Sequence, residues 1–298
     1  MNPAEIIQLA RRYQLQLEEN SIKVNESGLD FRVAHAKDST GEKWILRIPC
    51  REDSLKHGKK EQAALMILNK QVSFQVPQWT IFSKELIAYK ELNGTPAATI
   101  DMEKQAYVWT FDETKVPYSY LQSLGKVMAD LHNVPSDQMA LTGVDILNGV
   151  SLQSHMEKRM NNVKNHFDIH PKLWARWQAW LENDTIWPTF SGVKHGDLHP
   201  GHILLNKELE VTGIIDWTEV SVGDVSDDFA AHYQLFGEEG LDQLLVTYEQ
   251  GGGRVWQGMK QHIIELRAAS PVLVAEFALS SGLNDMVEMA KTMLSSDG

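Results

Sequence analysis

Cysteine is almost missing from this chain: Cys50 is the only one in 298 residues. No intrachain disulfide can form, which fits a reducing compartment. Basic residues are in the minority, with 28 Lys and Arg against 40 Asp and Glu and a formal net charge of −12. Binding a phosphate backbone needs clustered cations, so a nucleic-acid partner is not expected. An acidic cleft for a cationic small molecule suits the balance better. No apolar run approaches the roughly 18 residues of a membrane span, and Met1–Arg12 lacks the apolar centre of a signal peptide. Repeats, low-complexity tracts and Ser/Gly linkers are also missing. The expectation is a cytoplasmic protein off the membrane, with no protein partner implied.

What is present is an ordinary globular composition, 43% hydrophobic and 23% charged, which excludes a disordered chain. Pro3 opens a helical stripe of Ile6, Ile7, Leu9 and Ala10. Short strand patterns follow at Ile22–Asn25, Phe31–Ala36 and Lys43–Ile48, then a helix over Ser54–Lys70 and strands at Trp79–Phe82 and Leu86–Leu92. Beyond Pro117, amphipathic helical segments dominate, interrupted by two apolar runs at His202–Asn206 and Val211–Ile215 that read as a hairpin. Strands first and helices second indicate an α+β chain of two lobes. The boundary is placed near Asn93–Pro96, giving an N-terminal lobe, 1–94, and a C-terminal lobe, 95–298.

The densest chemistry lies in His195-Gly196-Asp197-Leu198-His199-Pro200-Gly201-His202 and in Ile215-Asp216-Trp217. Gly and Pro in a run of His and Asp describe a tight, exposed loop. Asp197 and His202 are five residues apart, and Asp216 lies 19 beyond Asp197, across the hairpin. Asp224, Asp227 and Asp228 follow at a helix start, where capping alone accounts for one or two of them.

These offsets resemble the catalytic loop and metal-binding Asp of the protein-kinase fold. His195-Gly196-Asp197 with Ile215-Asp216-Trp217 is similar to the aminoglycoside phosphotransferase and kinase-like superfamily. His202 in place of the usual Asn, with Asp224-Val225-Ser226-Asp227-Asp228-Phe229, resembles the macrolide 2′-phosphotransferases within it. The resemblance implies a small antiparallel-sheet lobe with an inserted helix, a larger helical lobe, and transfer of a nucleoside triphosphate's γ-phosphate to the 2′-hydroxyl of a macrolide amino sugar. Antibiotic resistance would follow.

By that resemblance Asp197 is the base that accepts the hydroxyl proton, and Asp216 and His202 hold Mg²⁺, although imidazole is a less usual Mg²⁺ ligand than oxygen. Ser27 and Gly28 would cover the nucleotide, or form a plain hairpin turn. Arg47, where the kinase pattern has Lys, would hold phosphate and pair with Glu61, unless Glu61 is merely solvated. Ala88, Tyr89 and Leu92 fall in the segment that binds the nucleobase, and Leu204 and Ile215 would form its floor or simply core. GTP, or else ATP, is the implied donor. Asp224 and Asp228 match positions near the amino sugar. Tyr233 and Phe277 stand on bulky helical stripes that make either core or an apolar wall for the macrolactone. His195 and His199 read as loop braces.

Other readings stay open. The same fold can phosphorylate an aminoglycoside or another alcohol. His195, Asp197, His199 and His202 could form a zinc hydrolase cluster. A non-catalytic nucleotide-binding scaffold would have no need of both Asp197 and Asp216.

Overall fold

The computed structural model describes residues 1–25, 31–50, 54–101, 103–104 and 106–297. In chain order, α1 (Pro3–Arg12) precedes β1 (Lys23–Asn25), β2 (Phe31–Lys37), β3 (Lys43–Pro49), α2 (Ser54–Gln71), β4 (Trp79–Phe82) and β5 (Ile87–Lys90). Next come β6 (Thr95–Pro96), β7 (Ala98–Asp101), β8 (Ala106–Trp109), α3 (Tyr118–His132), α4 (Ser136–Met139), α5 (Leu152–Lys164) and α6 (Pro171–Glu182). The chain ends with β9 (Gly192–Lys194), β10 (Ile203–Leu205), β11 (Val211–Ile214), β12 (Ser221–Gly223), α7 (Ala230–Gln250), α8 (Met259–Ala268), α9 (Pro271–Ser281) and α10 (Asn284–Leu294). No helix among the described residues is long and apolar enough to cross a membrane.

These elements form two compact units, neither of them continuous in sequence. The first contains Met1–Tyr120, Asp137–Val144 and Pro200–Val220; the second contains Leu121–Ser136, Asp145–His199 and Ser221–Gly298.

The first unit is built on an antiparallel sheet in the order β1-β2-β3-β5-β4. Alternation along β3 assigns its residues to two faces, because successive side chains in a strand point in opposite directions. Trp44, Leu46 and Ile48 join Ile6, Leu9 and Ala10 of α1 in one cluster. Ile45 turns the other way and packs with Phe31, Ile87 and Tyr89. Arg47 shares that second face, its guanidinium carbon 4.3 Å from the centre of the Phe31 ring. On α2 the buried positions Glu61, Ala64, Leu65 and Leu68 follow helical spacing, which places one carboxylate on an otherwise apolar stripe. The expected hairpin is present as β10 against β11, with β6 on its other edge. At Gly94 the backbone has φ +131°, and a Cβ there would stand 3.0 Å from Leu204 Cβ. Only glycine suits that conformation and that approach.

The second unit is mainly helical. Met156, Met160 and Val163 of α5 meet Leu173, Trp177 and Trp180 of α6, with Val272, Ala275 and Ala278 of α9 and Ala290 and Leu294 of α10 in the same core. Full burial of each large side chain contributes roughly 1.5–3 kcal/mol. The strands β9 and β12 pair antiparallel through Lys194–Ser221, Val193–Val222 and Gly192–Gly223. This pairing sets the end of β9, the strand that leads directly into His195.

Candidate active site

In the first unit a polar chain runs through apolar surroundings. Arg47 Nη1 donates to Glu61 Oε1 at 2.6 Å, with side-chain exposures of only 9% and 2%. Arg47 Nη2 reaches Thr218 Oγ1 at 3.5 Å, and Thr218 Oγ1 donates to Asp216 Oδ1 at 2.7 Å. Burial works against the charge on both Arg47 and Glu61, and Glu61 holds the guanidinium above its ordinary value. The expected Arg47–Glu61 pair therefore forms, and it leads toward Asp216.

Asp216 has a φ of +61° without being glycine, a left-handed backbone conformation that costs energy and collects at functional positions. Its side chain is half exposed, and Oδ2 lies 3.6 Å from His202 Nε2. A carboxylate beside an imidazole is a donor set that suits a divalent cation, with the oxygen ligand the stronger for Mg²⁺.

In the second unit the loop that presents Asp197 is held from beneath. Asp228 Oδ2 accepts from the His195 N–H at 2.8 Å, and Oδ1 accepts from the Gly196 N–H at 2.8 Å. His132 Nε2 lies 3.1 Å from Asp228 Oδ2, and the Tyr248 hydroxyl is 2.9 Å from His132 Nδ1. Burial alone would raise the Asp228 carboxyl, but the bond from His132 and the charges around it hold it below its ordinary range. Above this anchor, the Asp197 N–H donates to His195 Nδ1 at 3.2 Å. Gly196 supplies the positive φ of +87° that lets the loop turn. Asp197 itself is exposed.

A cavity of about 310 Å³ also lies in the second unit, lined among others by Lys194, Asp224, Asp227, Asp145, Arg159 and Trp187. Lys194 pairs with Asp227, and Arg159 grips Glu276 through Nε at 3.0 Å and Nη2 at 2.7 Å. Asp224 caps the turn that follows β12, with Oδ1 accepting from the Ser226 N–H at 3.0 Å.

The phosphotransferase enzyme family (APH) matches residues 21–262 of the chain. The chain belongs to that family. The structure of the macrolide 2′-phosphotransferase MphH from Brachybacterium faecium is similar with a TM-score of 0.92 and 34% identity, over 98% of this chain and 97% of that one. A macrolide 2′-phosphotransferase type I is similar with a TM-score of 0.90 and 36% identity, over 98% and 96%. The uncharacterized protein YcbJ of Bacillus subtilis (strain 168) is 39% identical over 96% of this chain and 94% of its own. The chain is thus a phosphotransferase with the protein-kinase-like α+β fold that its motifs implied.

Within this phosphotransferase the sequence-derived residues fall unevenly. Asp197, His202 and Asp216 are surface-accessible to different degrees, while Leu204 is buried and Ile215 half-buried. Ser27 and Gly28 lie outside the described residues. Ala88 and Tyr89 were expected to meet a nucleobase, but they sit inside β5, which pairs with β3 on one side and β4 on the other. Their backbone groups face ladder partners, so of that trio only Leu92 lies beyond the strand.

Asp228 was expected to face substrate and does not. Its side chain is 0% exposed, and both its oxygens are taken by the loop and His132. Tyr233 borders a different hollow, beside Arg176 and Arg267, and Phe277 is exposed on α9 without lining the Asp224 cavity. His195 is the expected brace: fully buried with Nδ1 occupied, it is unsuited to the zinc cluster. Sequence reading missed His132, Tyr248 and His262. Each is one polar residue on an amphipathic helix, a pattern that looks the same whether the group is active or structural.

Proposed function

We propose that this phosphotransferase moves the γ-phosphate of GTP to the 2′-hydroxyl of the amino sugar of macrolides and so confers macrolide resistance. The observation that carries the reaction type is the anchored loop: two amide donors fixed on Asp228 leave Asp197 outside as an exposed carboxylate. The acceptor and donor follow the likeness to macrolide 2′-phosphotransferases over nearly the full chain.

In this reading residues 1–94 form the nucleotide lobe and 95–298 the catalytic and substrate lobe. Asp197 orients the sugar hydroxyl and takes its proton as the oxygen attacks phosphorus, a base role worth about 10²–10⁴-fold. Asp216 holds Mg²⁺ and His202 supports it; the bound ion would neutralise phosphate charge. Arg47, fixed by Glu61, faces the phosphates. Ser27, Gly28, Leu92, Leu204 and Ile215 contribute to nucleotide binding. Asp224 meets the protonated dimethylamino group, and an enzyme of this kind works in the cytoplasm.

The test is GDP release from GTP and Mg²⁺ with erythromycin and kanamycin as separate acceptors, each product being weighed by mass spectrometry. One phosphate added to erythromycin alone supports the proposal. Phosphorylated kanamycin moves the protein to an aminoglycoside acceptor, and no product with GTP or ATP removes the antibiotic reading.

A further inference from the structure

Asp224 differs from the other carboxylates bordering the second unit's cavity in what it meets. Asp227 is neutralised by Lys194. Asp224 instead faces His262, whose Nε2 lies 2.6 Å from Oδ2. His262 has no solvent exposure and sits among three indoles, with ring centres 4.6 Å from Trp187, 5.3 Å from Trp180 and 5.9 Å from Trp256. One of these indoles decides the state of the imidazole. Trp180 Nε1 is 3.2 Å from His262 Nδ1. An indole N–H can only donate, so Nδ1 is the acceptor and carries no hydrogen. The ring hydrogen is therefore on Nε2, where it points at Asp224.

We propose that His262 is a positioning residue for the transfer reaction: set by Trp180, its Nε2–H clamps Asp224 so that the carboxylate faces the cavity and receives the acceptor's ammonium group. This rests on the amino-sugar acceptor proposed above. The clamp grips without cancelling charge. A Lys or Arg at this position would neutralise Asp224 as Lys194 neutralises Asp227, whereas an imidazole with its single hydrogen on Nε2 leaves the negative charge for the ligand. Ser226 fixes the other oxygen through its backbone N–H, so the carboxylate is held from two elements. His155, the imidazole bordering the cavity, is pushed down by burial and by Arg159, and so adds no opposing charge at neutral pH. Asp145 adds a second carboxylate to the wall.

The test compares His262→Phe, which fills the ring's volume without a donor, with His262→Gln, whose amide N–H can reach the same oxygen. A hydrogen bond to a charged group contributes about 1.5–3 kcal/mol, so the Phe variant is expected to raise the erythromycin KM by about 10- to 150-fold. Its kcat and GTP KM should stay within about threefold, and the Gln variant should recover most of the loss. An unchanged erythromycin KM in the Phe variant, or an equal rise in both substrates' KM, overturns the proposal.

¹⁵N spectra of histidine-labelled wild-type protein add a measurement that needs no variant to fold and no acceptor. His262 protonated on Nε2 and bare on Nδ1 supports the clamp; the opposite tautomer overturns it. If wild type phosphorylates a different amine-bearing alcohol, the acceptor reading fails by itself and the KM comparison is made on that alcohol.

Discussion

Asp197 and Asp228 are both acidic, and the residues around them divide the work. Asp197 stands exposed, with its backbone tied to His195; Asp228 is sealed beneath with two amides and an imidazole. Asp197→Ala should therefore cut kcat by at least about 10²-fold while leaving GTP affinity measured by calorimetry nearly unchanged. Weak nucleotide binding with normal turnover of the bound complex would remove its role as base. Asp224→Asn and Asp228→Asn should separate in steady-state kinetics. The first is expected to raise the acceptor KM with kcat preserved. The second loosens the loop, so it should lower both kcat and Tm and leave no selective effect on the acceptor KM. At this scale the sequence showed the residues held in one short motif and hid their supports. His132 meets Asp228 across 96 positions and Tyr248 across 116, distances at which no local spacing rule operates.

Elements differ in how openly they announce themselves. β3 was readable as a short, almost continuous apolar run buried on both faces, and α2 from good helix formers at helical spacing. The pair β9–β12 was not, since each strand has three residues, too few for a period to repeat. The hairpin β7–β8 also escaped, with Thr99, Ile100 and Val108 largely outward and little apolar contrast between its faces. Two predictions belong to helices. Gly125 on α3 approaches α7 so closely that a Cβ would lie 2.5 Å from the Thr247 carbonyl carbon. Gly125→Ala should thus lower stability by about 1–3 kcal/mol, seen as a reduced denaturant midpoint, although alanine is the better helix former. On α7, Gly237 breaks the helical geometry with φ 65° and ψ −164°. His232 spans that break to bond the Gly240 carbonyl at 3.1 Å, and burial drives its pKa down from 6.5 to about 4. The unfolded chain gains a proton near 6.5 while the folded chain resists until about 4. Stability is therefore whole above the unfolded value and is lost as pH falls toward the folded one, by about 1.4 kcal/mol per unit. His232→Gln should flatten that slope in urea titrations at pH 7, 6 and 5; an unaltered slope would place the acid sensitivity elsewhere.

For the whole molecule, fold class was legible because the change from strands to helices survives any error in individual boundaries. The composition of the units was less so. A cut near residue 94 is natural on the sequence, where strand patterns end, yet the first unit gathers in Pro200–Val220 as well. In that segment β10 closes onto β6 and Gln75 bridges to Gly213, contacts between residues far apart in the chain. A fragment ending at Tyr120 should consequently lack cooperative thermal unfolding by circular dichroism, despite holding all of the five-stranded sheet; a sharp transition in that fragment would show the later segment to be dispensable. The interleaving also has a temporal meaning during synthesis. A ribosome releases the sheet's strands early, but the piece that completes their unit emerges only when residue 220 has been made. Until then those strands belong to an incomplete unit whose β6 still lacks its partner β10, the interval in which a chaperone would have something to hold.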